Sequence, residues 1–104
     1  MTTSTKTRSK NQESTWTFLS NHGHVVICLA KQPDARLRDV AELVGITERA
    51  VQSILHDLEA NGALTRIREG RRNRYVIHED LPLRHPLEQN CKIRDLLTLA
   101  QPAS

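Results

Sequence analysis

Residues 37–58 read LRDVAELVGITERAVQSILHDL, two short helical patterns joined at a glycine. In the second pattern Val51, Ile54, Leu55 and Leu58 fall at i, i+3, i+4 and i+7, which makes one inward stripe of an α-helix. At roughly 100° per residue, Arg49, Gln52, Ser53 and His56 emerge on the opposite side, all polar groups that need no core. In the first pattern Val40, Ala41 and Val44 share a side of a shorter helix, and Gly45 ends it where a left-handed residue is usual. Small Ala41 lets the two helices cross closely. Thr47 is placed to cap the second helix, its hydroxyl accepting an N–H of the first turn.

Composition bounds what this pair can belong to. The chain has 104 residues, enough for one domain with a modest core that leans on a partner for part of its stability. Aromatic residues are only 3% of it, which argues against a catalytic pocket with stacking walls, and no enzyme activity is expected. No stretch has the pattern of a signal peptide, and the longest apolar run, Val25–Ala30, is too short to span a bilayer, so the expected location is cytoplasmic, with no membrane partner. Cys28 and Cys91 form neither a C-x-x-C pair nor a disulfide framework.

The flanks then take their places. Residues 1–14, rich in Ser and Thr with Lys6, Arg8 and Lys10, read as a flexible basic tail. Trp16, Phe18 and Leu19 are the first apolar anchors, Asn21 is a helix cap, and a helix is expected from about His22 to Lys31, enclosed along Val25–Ala30. After the 37–58 pair, Asn61 and Gly62 suit a left-handed C-terminal turn. Ala63–Arg68 and Arg74–His78 are strand-like runs around the polar loop Glu69–Asn73, a β-hairpin. Arg66, Arg68, Arg71, Arg72 and Arg74 crowd this hairpin, opposed there only by Glu69 and with no lysine among them. Arginine's planar fork suits bidentate phosphate contact.

The order Ala41, Gly45, Ile46, Val51 is similar to the helix-turn-helix of bacterial transcription regulators. Gly45–Tyr75, GITERAVQSILHDLEANGALTRIREGRRNRY, resembles the corresponding region of MarR-like and ArsR-like regulators. The resemblance implies a winged helix-turn-helix at 15–80: mainly α with a small β-sheet, a three-helix core and a two-stranded wing, in which Ala35–Leu37 is the short third strand. It implies sequence-specific binding of double-stranded DNA and regulation of transcription, with recognition helix 47–60 in the major groove and wing 66–74 on phosphates or in the minor groove. It carries Thr47, Arg49, Gln52, Ser53 and His56 to base edges and nearby phosphates, and Arg68, Arg71, Arg72, Asn73 and Arg74 to the wing contact.

Residues 81–104 read as a C-terminal helix starting near Pro86, with Glu88 in its first turn. Ile93, Leu96, Leu97 and Ala100 form one apolar stripe, while Leu87 and Cys91 lie on a second side. Two sticky sides want two neighbours, so Leu87, Cys91, Ile93, Leu96 and Leu97 are the expected contacts of a homodimer. No metal or other cofactor is expected: His22 and His24 point to different helix faces, and the set His78, Glu79, Asp80, His85, Glu88 lacks the thiolate pair or Asp-x-His of metal-sensing relatives. Ser53 and His56 share a helix face without an oxyanion donor or an oriented base, which is no catalytic site. A small-molecule effector is not specified by the sequence. Two other functions fit the same fold, a protein–protein interaction module and a nucleic-acid-binding protein without sequence preference.

Overall fold

Helices begin where a side chain satisfies the free N–H groups of a first turn. In the computed structural model, which describes residues 16–101, the Ser20 hydroxyl accepts from the Gly23 N–H at 3.4 Å and opens α1 (Asn21–Lys31). Asn21, the expected cap, is instead the first helical residue, because the hydroxyl one position earlier already reaches that donor; its side chain turns to the His24 ring. The Asp39 carboxylate accepts the Arg36 N–H at 3.2 Å and the Arg36 Nε–H at 3.3 Å, which fixes the start of α2 (Leu37–Val44). Gly45, left-handed at φ 87°, ends α2. The Thr47 hydroxyl accepts from the Ala50 N–H at 3.0 Å and starts α3 (Glu48–Ala60), as the sequence indicates. The expected tail at 1–14 lies outside the described residues.

Because Leu37 is already helical, the short strand expected at Ala35–Leu37 does not form. What remains of it is a single backbone bond, from the Tyr75 N–H to the Pro33 carbonyl at 3.0 Å. The hairpin is formed by β1 (Leu64–Glu69) and β2 (Arg72–Ile77), antiparallel, in register from Leu64 opposite Ile77 to Glu69 opposite Arg72. Its turn is therefore the two residues Gly70 and Arg71 rather than the five of Glu69–Asn73. Gly70 holds φ at 63°, the positive value that a tight turn matched to strand twist requires at its first central position.

The inward stripes meet as their spacing indicates. Val25, Leu29, Val40 and Val51 are fully buried, clustered with Ala41, Ile54, Leu55, Leu64 and Tyr75. Two expectations fail at the edges of this core. Ala30 is exposed, so α1 is not enclosed on every side. Trp16 and Phe18 are exposed rather than buried in the core, and they pack edge to face on each other with ring centroids 4.9 Å apart.

The C-terminal stretch departs most from expectation. Pro86–Glu88 is only a 3-10 turn, and α4 runs over Ile93–Leu99. Non-local backbone bonds explain the break: Leu83 N–H donates to the Cys91 carbonyl at 2.9 Å and Ile93 N–H to the Leu81 carbonyl at 3.0 Å, so residues 91–93 are held extended against 81–83 and cannot continue a helix. The Asp95 carboxylate, accepting the Lys92 N–H at 2.8 Å, then restarts it. Ile93, 5% exposed, packs with Val26 and Ala63, and Leu97 lies against the same cluster. These two expected dimer contacts thus belong to the chain's own core, because α4 lies on α1. Leu96 is half-buried beside Gly23, Cys91 is half-buried, and Leu87 points outward from the 3-10 turn. Among the described residues no helix is long and apolar enough to cross a membrane.

Candidate nucleic-acid interface

With Val51, Ile54 and Leu55 fixed in the core, the helical period leaves Arg49, Gln52, Ser53 and His56 on the outer side of α3, and all four are exposed. None of the four makes a side-chain hydrogen bond among the described residues. The Thr47 hydroxyl is spent on the cap, though the residue is exposed at the start of the helix.

The acidic residues in the last turns of α3 each have a partner on a neighbouring element. Asp57 Oδ2 lies 2.8 Å from His22 Nε2 on α1, and Glu59 Oε1 accepts from Arg66 of β1 at 2.9 Å. Exposed pairs of this kind add little stability. The consequence is electrostatic: Glu59 is compensated by Arg66, while Arg49 stands in the exposed row of α3 without an ion-pair partner among the described residues.

Cross-strand register divides the hairpin arginines between its faces. Arg66, Arg68, Asn73 and Tyr75 share one side, and Arg72 and Arg74 share the other with Ile67 and Val76. Arg68 Nε–H donates to the Gly70 carbonyl at 2.8 Å and braces the turn. Arg72 reaches the Asp34 carbonyl at 2.7 Å and ties the hairpin to the loop before α2. Arg71, at the tip, and Arg74 have no side-chain hydrogen-bond partner among the described residues, and both are exposed.

The hairpin and α3 are brought together at a groove of about 620 Å³ lined by Arg36, Arg38, Glu48, Arg71, Arg72 and Asn73, among others. The first residue of α3 and the hairpin tip are thus two walls of one depression, and the start of α2 is the third. Four guanidinium groups border it, from Arg36, Arg38, Arg71 and Arg72. The sequence reading assigned no role to Arg36 and Arg38; their signal was the alternation Arg36, Leu37, Arg38, which was legible only once the helix start at Leu37 was known. The backbone N–H of Arg36, followed by its guanidinium, holds the Asp39 carboxyl below the usual carboxylate range. That carboxylate offsets part of the charge of Arg36, whereas Arg38 and Arg71 have no ion-pair partner among the described residues.

Away from the groove, burial pushes the Cys28 thiol up, with the charge of Asp39 adding to the effect and Lys31 opposing it. Among the described residues no three His, Cys, Asp or Glu side chains gather closely enough to hold a metal ion. No protein-family model matches the sequence, and no curated protein is recognisably similar to it.

Proposed function

We propose that the chain is a winged helix-turn-helix protein that binds double-stranded DNA and regulates transcription by occupying its site. In this reading α3 enters the major groove, Arg49, Gln52, Ser53 and His56 meet base edges, and the β1–β2 hairpin is the wing, with Arg71 and Arg74 on phosphates or in the minor groove. The observation that carries it is the shared groove: α3 meets the depression that Arg36, Arg38, Arg71 and Arg72 border through its first residue, Glu48, and its exposed polar row starts at the next residue, Arg49. An isolated solvated charge run needs no such neighbour. Phosphates flanking a groove do, because backbone contacts set the register in which a helix reads bases.

The test is selection of duplexes from a random pool, followed by salt titration of the selected and of random sequence. A sequence-specific regulator gives an affinity gap of roughly a thousandfold or more, with log K falling linearly in log salt by about 0.9 per phosphate contact. Equal affinity for all duplexes assigns the protein to non-specific nucleic-acid binding. Absence of binding at low salt rejects the reading and leaves a protein-interaction module.

A further inference from the structure

A β-strand turns the backbone groups of alternate residues toward each of its neighbours, so a two-stranded hairpin has two outer edges. The parity of this hairpin is fixed at two places. Glu69 and Arg72 flank a two-residue turn and form a hydrogen-bonded pair, as do Ile67 with Arg74 and Thr65 with Val76. Tyr75, between them, sends its N–H the other way, to the Pro33 carbonyl at 3.0 Å, which engages the outer edge of β2. By the same count the N–H and C=O groups of Arg66 and Arg68 point away from β2, on the outer edge of β1, and among the described residues no backbone bond reaches them there. We propose that this edge takes up an extended acidic segment of a partner protein as a third strand.

A row of alternating N–H and C=O groups is matched by another polypeptide backbone and not by the phosphodiester of a nucleic acid. Side chains decide which polypeptide. Residues opposite each other in paired strands share a face, so the neighbours of Arg66 and Arg68 stand beside two guanidinium groups. The residue between those neighbours lies on the other face, beside Ile67, which is 38% exposed. The occupant is therefore acid, apolar, acid at successive positions. A second copy of this chain fits poorly, because β1 against β1 sets arginine beside arginine and like charges directly opposite destabilise a sheet.

Both arginines keep donors for such a partner. Arg66 donates to Glu59 and Arg68 to the Gly70 carbonyl, and both side chains are exposed. A guanidinium has five N–H donors, which leaves others for an incoming carboxylate. Neither bond uses the backbone edge. Glu59 already offsets part of the charge of Arg66, so Arg68 is the stronger anchor. Glu69, the acid of β1, shares the face of Ile67 and so stands on the opposite side from the partner's acidic positions. The surface is defined by backbone parity and does not depend on whether the hairpin also meets DNA.

The experiment adds a short capped peptide of alternating glutamate and valine to the full chain and follows amide hydrogen exchange. Exchange of the Arg66 and Arg68 amides is expected to slow roughly tenfold or more at saturation, while the Ile67 amide, already bonded to β2, changes little. Two further peptides carry N-methyl groups on the glutamates or on the valines. Only one of these sets can face β1, so one peptide is expected to bind and the other to fail. Arg68→Glu should weaken the parent peptide roughly tenfold or more, and a peptide of alternating lysine and valine should not bind. The methylated peptides are read on the unaltered chain, so their result stands even where Arg68→Glu disturbs the turn. The proposal is overturned by unslowed Arg66 and Arg68 amides, by binding indifferent to Arg68→Glu, or by equal behaviour of the two methylated peptides, which reports charge attraction without strand pairing. Equal slowing of the two amides by a random DNA duplex also overturns it and gives the edge to nucleic acid.

Discussion

Gly45 carries a backbone constraint with no steric one attached. Its φ is 87°, yet nothing lies within 4 Å of where a Cβ would stand. Gly45→Ala is therefore expected to cost about 1–2 kcal/mol, the penalty of a left-handed L-residue, read as a lower urea midpoint with the fold retained. The arginines divide by what else they hold. Arg49 has no structural duty among the described residues, so Arg49→Ala should lower affinity for the selected duplex by roughly 1–3 kcal/mol and leave affinity for random duplex nearly unchanged. Arg71→Ala should weaken both alike and reduce the salt slope by about 0.9. Arg72 is a poorer probe, because its loss also unties the hairpin from the Asp34 carbonyl. Equal losses on the two duplexes for Arg49→Ala would remove that residue from base reading.

At the scale of elements, what was legible in the sequence was whatever local chemistry decides. The α2–α3 pair could be read because apolar period, glycine stop and threonine cap all lie within residues 37–58 and agree with one another. The polar row of α3 followed from the same period. One error was a local signal missed, the Asp39 carboxylate that starts α2 where a strand was expected at Ala35–Leu37; the other arose where distant backbone decides, the helix expected from Pro86 yielding to the pairing of 81–83 with 91–93. The grouping of Arg36 and Arg38 with the hairpin tip was illegible for that reason, since it depends on how two elements pack. The same carboxylate makes α2 acid-sensitive. A carboxyl held below its unfolded value, about 3.9, contributes stability that is present above that pH and is lost as pH falls through the lower folded value. Asp39→Asn should thus reduce stability at neutral pH and flatten its decline below about pH 4, measured as urea midpoints across that range. An acid limb of unchanged steepness would show that Asp39 does not produce it.

The whole molecule is joined through α4. Since Ile93 closes a cluster that includes Val26 of α1 and Ala63 beside β1, the C-terminal stretch shares its stability with the helical core. Ile93→Ala is expected to cost about 2–5 kcal/mol and to shift one cooperative unfolding transition. An early separate transition from the C-terminal stretch, with the main one unmoved, would contradict that union. The nature of the cations bordering the groove and studding the hairpin has its own consequence. Every one of them is an arginine, and none is a primary amine. Reagents that acylate amines, and the cellular chemistry that acetylates lysine, would pass over that surface without touching its charge, whereas a dicarbonyl such as phenylglyoxal would erase it.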